Sequence, residues 1–335
     1  MPKEINDDDI QNITENIDEL EITAVSTQQS TPLVKTGSNP LRVILDGFMG
    51  KVVKAMTIFS LLLLVLIIIG LVLKSIPVLK DNPLSTLLFS SQWSPFKGEF
   101  GFLPFILSTV YVTLIAAVIA IPLSLFTAIY LSEYANKRFL KYAAPMLDIL
   151  GGIPSVIYGI WGVLLIVPFV RDDFSAWLGV DSVSGYSILS GGVVLAVMVF
   201  PVVVQIVYEV LKTVPHELRE ATLSLGATKW ETIKKVVIKR ASPGIIAACI
   251  LGFSRAFGET IAVLMVVGNV VQIPKGIFDE GYPIPALIAN NYGEMMSIPM
   301  YDSALMFAAL ILLVIVLVFN VYARWVLNRI EKSIK

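Results

Sequence analysis

The chain has 335 residues, of which 56% are hydrophobic and 15% charged, and its mean hydropathy is +0.79. Soluble domains carry about 45–50% apolar residues, so a water-soluble globular body is excluded and most of the chain belongs in a bilayer. The formal net charge is only −1, and a single cysteine, Cys249, excludes an intrachain disulfide or a multi-cysteine metal site.

Residues 1–40 hold eight acids (Glu4, Asp7, Asp8, Asp9, Glu15, Asp18, Glu19 and Glu21) against Lys3 and Lys35, with many Asn, Gln, Ser and Thr. Such a segment buries too little surface to offset ordering entropy and is expected to be a disordered cytoplasmic tail. The chain does not open on a basic region, a short apolar run and a small-residue cleavage site, so its first hydrophobic segment is expected to remain as an anchor. Over residues 41–54, Leu41, Ile44, Leu45, Phe48 and Val52 recur at helical spacing among Arg42, Asp46 and Lys51. That pattern predicts an interfacial amphipathic helix.

Six apolar stretches follow, near 55–78, 104–131, 145–170, 187–212, 244–271 and 302–327. Each has the roughly 20 residues that carry a helix across about 30 Å of hydrocarbon, so the expected class is an all-α polytopic membrane protein. On the second, Ala116, Ala120, Ser124 and Ala128 form a small-residue stripe for close helix packing. The third and fifth contain glycine and proline, which membrane helices tolerate where neighbours satisfy the freed backbone groups.

Basic residues orient the spans, because short loops rich in Lys and Arg stay cytoplasmic. With both termini inside, sixteen basic residues from Lys51 onward fall on the inner side and five at most on the outer. A cytoplasmic excursion over residues 213–243 then separates the fourth and fifth spans, long enough to have structure of its own. Pro215 and Glu217 suit the first turn of a helix running to about Leu225, and Gly226 suits its left-handed stop. Trp230, Ile233, Val236 and Val237 give a second helix an apolar face. The pair reads either as an amphipathic hairpin on anionic lipid or as a docking element for a protein groove.

Within that excursion, Glu217-Leu-Arg-Glu-Ala-Thr-Leu-Ser-Leu-Gly-Ala-Thr resembles the EAA loop of ABC importer permeases, carried by Glu220, Ala221 and Gly226. Thr222 stands where that motif usually has a second alanine. Two further stretches, Gly152-Ile-Pro-Ser-Val-Ile-Tyr-Gly-Ile-Trp-Gly162 and Arg255-Ala-Phe-Gly-Glu-Thr-Ile-Ala-Val-Leu-Met-Val-Val-Gly-Asn269, resemble phosphate importer permeases of the PstC type. The likeness runs over roughly residues 100–330.

It implies a type I importer permease fold and a non-catalytic subunit in a bacterial inner membrane, with inorganic phosphate as cargo. It further implies as partners a second homologous permease, an ATPase dimer docked on the 213–243 loop, and an extracytoplasmic phosphate-binding protein. The chain contains no G-x-x-x-x-G-K-[ST] run to cradle a nucleotide, so no cofactor is expected on it, and ATP and magnesium are assigned to the ATPase.

The cargo path is expected around Arg255, Glu259 and Thr260. Counted from Gly244 at 1.5 Å per residue, Arg255 lies roughly 16 Å along the fifth span, a depth at which a charge usually faces a partner, a cavity or a path. Glu259, four residues on, is expected on the same helix face, either pairing with Arg255 or holding its planar fork toward an oxyanion. A carboxylate there also accepts a hydrogen bond from protonated phosphate, which sulfate lacks. Ser254 and Asn269 are weaker path residues, with Ser254 expected to bond its own backbone.

Glu133, Asp148 and Glu209 are expected in solvent at the inner ends of spans, and His216 on the surface of the loop. Pro154 and Gly159 are gating candidates within a glycine-rich third span. Permeases for sulfate or molybdate, and a proton-coupled secondary carrier, remain alternatives. Repeated halves or paired broken helices, the marks of many secondary carriers, are not evident in the sequence.

Overall fold

The computed structural model describes residues 40–180, 184–293, 298 and 300–334. The acidic segment expected over residues 1–40 lies outside them, Pro40 excepted. The chain divides into two compact units, Met1–Val65 and Leu66–Lys335. The described part of the first is wholly helical, as the opening of helix α1 (Pro40–Asp81). The expected boundary between an interfacial helix ending at residue 54 and a span starting at 55 is not seen. From Lys51 to Ile76 the sequence holds no proline and only Gly70, so nothing breaks the backbone ladder there.

Among the described residues, six helices are long and apolar enough to cross a membrane: Phe48–Asp81, Leu103–Tyr134, Ser155–Trp177, Ile188–Lys212, Lys229–Phe257 and Tyr301–Arg329. The second unit starts within α1, continues through a short helix α2 (Leu84–Phe89) and a two-stranded antiparallel pair, β1 (Trp93–Ser94) with β2 (Glu99–Phe100). Trp93 packs edge-on against Phe100, Phe102 and Phe105. These rings share a core with Tyr282, Ile284, Leu287, Tyr301 and Leu305.

Helix α3 (Leu103–Ile129) ends in a wide π turn, Tyr130–Tyr134. Its small-residue stripe is buried, and Ser124 Oγ donates to the Phe200 carbonyl at 3.2 Å, tying it to α6 (Ile188–Lys212). Small side chains let the two backbones approach, and among the described residues α3 with α6 forms the most extensive helix pair.

Between them lie α4 (Lys137–Gly152), capped by Asn136 through the Phe139 amide at 2.7 Å, and α5 (Ser155–Trp161), whose run continues through π turns to Trp177. The third span, expected over 145–170, starts later. Its apolar composition is continuous across residue 153, which is why length alone sets the start too early. The backbone is not continuous: Ile153 and Pro154 are extended, with ψ of 130° and 141°, since the residue before a proline is pushed out of the helical region.

Beyond α6 come α7 (His216–Ser224) and α8 (Lys229–Thr232). A capping box starts α8: the Thr228 hydroxyl accepts from the Glu231 amide and the Glu231 carboxylate accepts from the Thr228 amide. From there the helix runs through a π turn, Ile233–Val237, into α9 (Ile238–Phe257) without a break. The second helix expected within the 213–243 loop is therefore the start of the fifth apolar helix, which begins at Lys229 rather than 244. Gly258–Thr260 separates it from α10 (Ile261–Val266), so the fifth helix also ends earlier than expected. An irregular segment, α11 (Ile284–Asn291) and α12 (Tyr301–Ile334) complete the chain.

Candidate functional site

Two polar regions stand out, at opposite ends of the long helix Lys229–Phe257. At the first, α7 carries the EAA-like residues. Glu220, Ala221 and Gly226 are all exposed, as is His216. Gly226 has φ +85°, and a Cβ there would meet no neighbour within 4 Å, so what it contributes is the left-handed stop after α7 rather than space. Leu218, Leu223, Leu225 and Trp230 are exposed around it, Leu225 at 88%. A short helix thus presents leucines and an acidic side chain outward.

Behind that face the charges are shielded. Arg219 Nη2 donates to Glu133 Oε1 at 2.9 Å and to the Leu211 carbonyl at 3.0 Å. Its Nη1 reaches the carbonyls of Val214 and Pro215, and Ser132 Oγ donates to the same Glu133 oxygen at 3.2 Å. Glu133, expected in solvent, is instead paired, with side-chain exposures of 13% for Arg219 and 9% for Glu133. Nothing local in Tyr-Leu-Ser-Glu-Tyr announces this, because the partner lies 86 residues away. Asp148 is exposed and accepts from Gln205 Nε2 at 2.8 Å, and Glu209 pairs loosely with Lys212 at 3.5 Å.

At the second region the fifth helix is interrupted. Arg255 stands in the last turn of α9, Gly258 ends it, and Thr260 precedes α10. The expected shared helix face of Arg255 and Glu259 fails for that reason: Glu259 lies beyond the helix end. The depth counted from Gly244 also loses its origin, since Gly244 is inside the helix. Arg255 is exposed and, among the described residues, forms no ion pair with Glu259 or any other acid.

Glu259 is half-buried and lines a narrow crevice with Thr109, Thr113, Leu195, Phe257 and Pro283. Thr109 there accepts from the Ile284 amide at 2.9 Å, fixing one wall. Thr260 is half-buried, with its hydroxyl 3.3 Å from the Gly258 carbonyl. Ser254 bonds Asn320 Oδ1 at 3.0 Å rather than its own backbone, joining α9 to α12. Asn269 has φ +55° and donates to the Leu264 carbonyl at 2.8 Å.

The two helix breaks are neighbours through the pieces that follow them. Gly159 and Gly162 of the α5 run face α10: a Cβ at Gly159 would sit 2.5 Å from Met265 Sδ and 3.3 Å from Ala262 Cα, and one at Gly162 would sit 2.6 Å from Val194 and 2.8 Å from Val266. Gly159 is thus a buried close contact inside a helix, while the change of direction lies at Ile153 and exposed Pro154. The joint at Ile153–Pro154 precedes the third spanning helix, whereas the break at Gly258–Thr260 brings an exposed guanidinium and a half-buried carboxylate to the end of the fifth.

A family described as binding-protein-dependent transport system inner membrane component matches residues 120–335. The probable phosphate transport system permease protein PstC of Methanocaldococcus jannaschii is 36% identical over 295 residues, covering 83% of this chain and 93% of that protein. The phosphate transport system permease protein PstC of Xylella fastidiosa is 35% identical over 259 residues, covering 73% and 79%. In fold, the chain is similar to a subunit of the MetNI methionine ABC transporter in an inward-facing conformation, with TM-score 0.50 and 20% identity over 69% of this chain and 94% of that one.

Proposed function

The chain belongs to the family of binding-protein-dependent transport system inner membrane components, and from that premise we propose that it is the permease subunit that carries inorganic phosphate through an ABC importer. The exposed helix His216–Ser224, with Glu220 and Ala221 outward and Gly226 closing it, is the observation that carries the coupling half of this reading. Phosphate as cargo is supported by relatives of 35–36% identity that bear that name. The permease does no chemistry; a separate ATPase dimer binds ATP and magnesium, and an extracytoplasmic phosphate-binding protein and a second, homologous permease complete the assembly.

ATP-driven closure of the ATPase pair moves α7, and the spans rock between outward and inward access. Both termini lie in the cytoplasm, an orientation supported by the excess of Lys and Arg on that side. Along the path, Arg255 offers a planar fork of donors to the oxyanion, and Glu259 with Thr260 lines the break beside it. The extended joint at Pro154 serves as the flexing point of the third span, and Gly159 keeps the following helix against α10.

The test is uptake of labelled phosphate by a cell lacking its own phosphate importers, with membrane levels matched. Supplied with its partner subunits, the chain restores uptake, and Glu220→Arg abolishes it by placing a cation where the ATPase groove receives an acid. Undiminished uptake in Glu220→Arg removes α7 as the docking element. Uptake of sulfate or molybdate in place of phosphate moves the cargo, and transport that survives loss of the ATPase favours a proton-coupled carrier.

A further inference from the structure

We propose that the Glu133–Arg219 pair is the latch through which movement of the docking helix reaches the second and fourth spans; this rests on the importer reading, in which α7 receives the ATPase stroke. Four ion pairs occur among the described residues, and three of them are open to solvent, with side chains 44–71% exposed. Only Glu133–Arg219 is withdrawn, at 9% and 13%. A shielded pair contributes little net stability, because desolvation offsets attraction, but it resists displacement, because moving one partner strands the other.

Arg219 suits that task by shape. Its fork spends donors on Glu133 at the end of the second span, on Leu211 in the last turn of the fourth, and on Val214 and Pro215 in the link to α7. The Leu211 and Val214 carbonyls lie at and just past the C-terminal end of α6, where the helix dipole favours a cation. One side chain of the docking helix therefore holds the ends of two spans at once. Leu131, Leu211, Val214 and Ile233 are buried in a common core, so the junction is backed by packing and has little room to yield.

Glu220, by contrast, is exposed on the same short helix. Adjacent residues thus divide the work, with Glu220 toward the partner and Arg219 toward the permease.

The experiment uses the whole transporter, with its ATPase, partner permease and phosphate-binding protein, reconstituted in vesicles. Phosphate moved per ATP hydrolysed is measured for wild type, Arg219→Met, Glu133→Gln and the double variant. Each single variant is expected to keep its ATPase yet lower that ratio about tenfold, and the double variant is expected to be no worse than Arg219→Met, as for residues acting as one unit. A variant that is merely misassembled loses hydrolysis and transport together and leaves the ratio in place.

An unchanged ratio in singles that hydrolyse ATP at the wild-type rate, or losses that multiply in the double, overturns the latch. Should Arg219→Met fail to assemble, hydrogen exchange of the His216–Ser224 amides in Arg219→Lys decides: a single ammonium replaces the fork, and exchange is expected to quicken about tenfold, whereas a wild-type rate refutes the proposal. Exchange needs no cargo, so a wild-type complex that moves no phosphate defeats the cargo assignment while leaving the latch test standing.

Discussion

The two ends of the helix Lys229–Phe257 treat charge in opposite ways. At the Lys229 end, Glu231 is tied to Thr228 and to Lys235 at 3.2 Å, and Arg219 behind it is satisfied four times over. At the Phe257 end, Arg255 is exposed and Glu259 half-buried, and no ion pair joins them. At the first end the shielded pair Glu133–Arg219 is consumed by the fold, so it fixes positions. Arg255 and Glu259 at the second end keep free valence beside a break in the helix, and the proposed ion path rests on that.

The comparison is broken most forcefully at the open end. Arg255→Lys keeps the charge but removes the fork, and phosphate uptake is expected to fall on the order of 10–100-fold with ATPase association unchanged. Full uptake in that variant would reduce Arg255 to a point charge. Glu259→Gln, which keeps the shape and loses the acceptor strength of the carboxylate, sharpens the same contrast. Its preference for phosphate over sulfate in competition uptake is expected to shrink about tenfold, and an undiminished preference denies Glu259 a selecting role.

The smallest effect belongs to the closed end. Thr228→Ala removes one helix cap, worth about 1 kcal/mol, so amide exchange over Lys229–Thr232 should quicken roughly fivefold while uptake stays near wild type. A large loss of uptake there would mean that the cap, too, belongs to the coupling path.

Much of this architecture is legible in residues read one after another. Six apolar runs of spanning length correspond to six helices, since hydropathy is a local sum that needs no knowledge of neighbours. The stripe Ala116, Ala120, Ser124, Ala128 is readable as a packing face for the same reason, and it is buried. Gly226 can be picked out as a stop because glycine alone adopts φ +85° without strain.

The breaks are harder. Apolar composition flows across Ile153–Pro154, and apolar runs flank the short Gly258–Thr260 segment on both sides, so counting hydrophobic residues displaces the third and fifth helices. Proline and glycine mark these places, yet Pro122, Pro201 and Pro243 lie inside helices that continue. Whether such a residue breaks a helix depends on what neighbours satisfy the freed backbone groups, and that is a property of the bundle.

The sequence by itself determined a polytopic all-α protein, the number of its long apolar helices, and a charged excursion between the fourth and fifth, because each follows from transfer free energies and periodicities confined to a few turns of chain. Tertiary structure decided which charges are spent and which are open. Glu133 and Arg219 meet across 86 residues of sequence, while Arg255 and Glu259, four apart, are separated by the end of a helix. The cost of a charge is set by the dielectric and the donors around it, and those arrive only when distant segments pack.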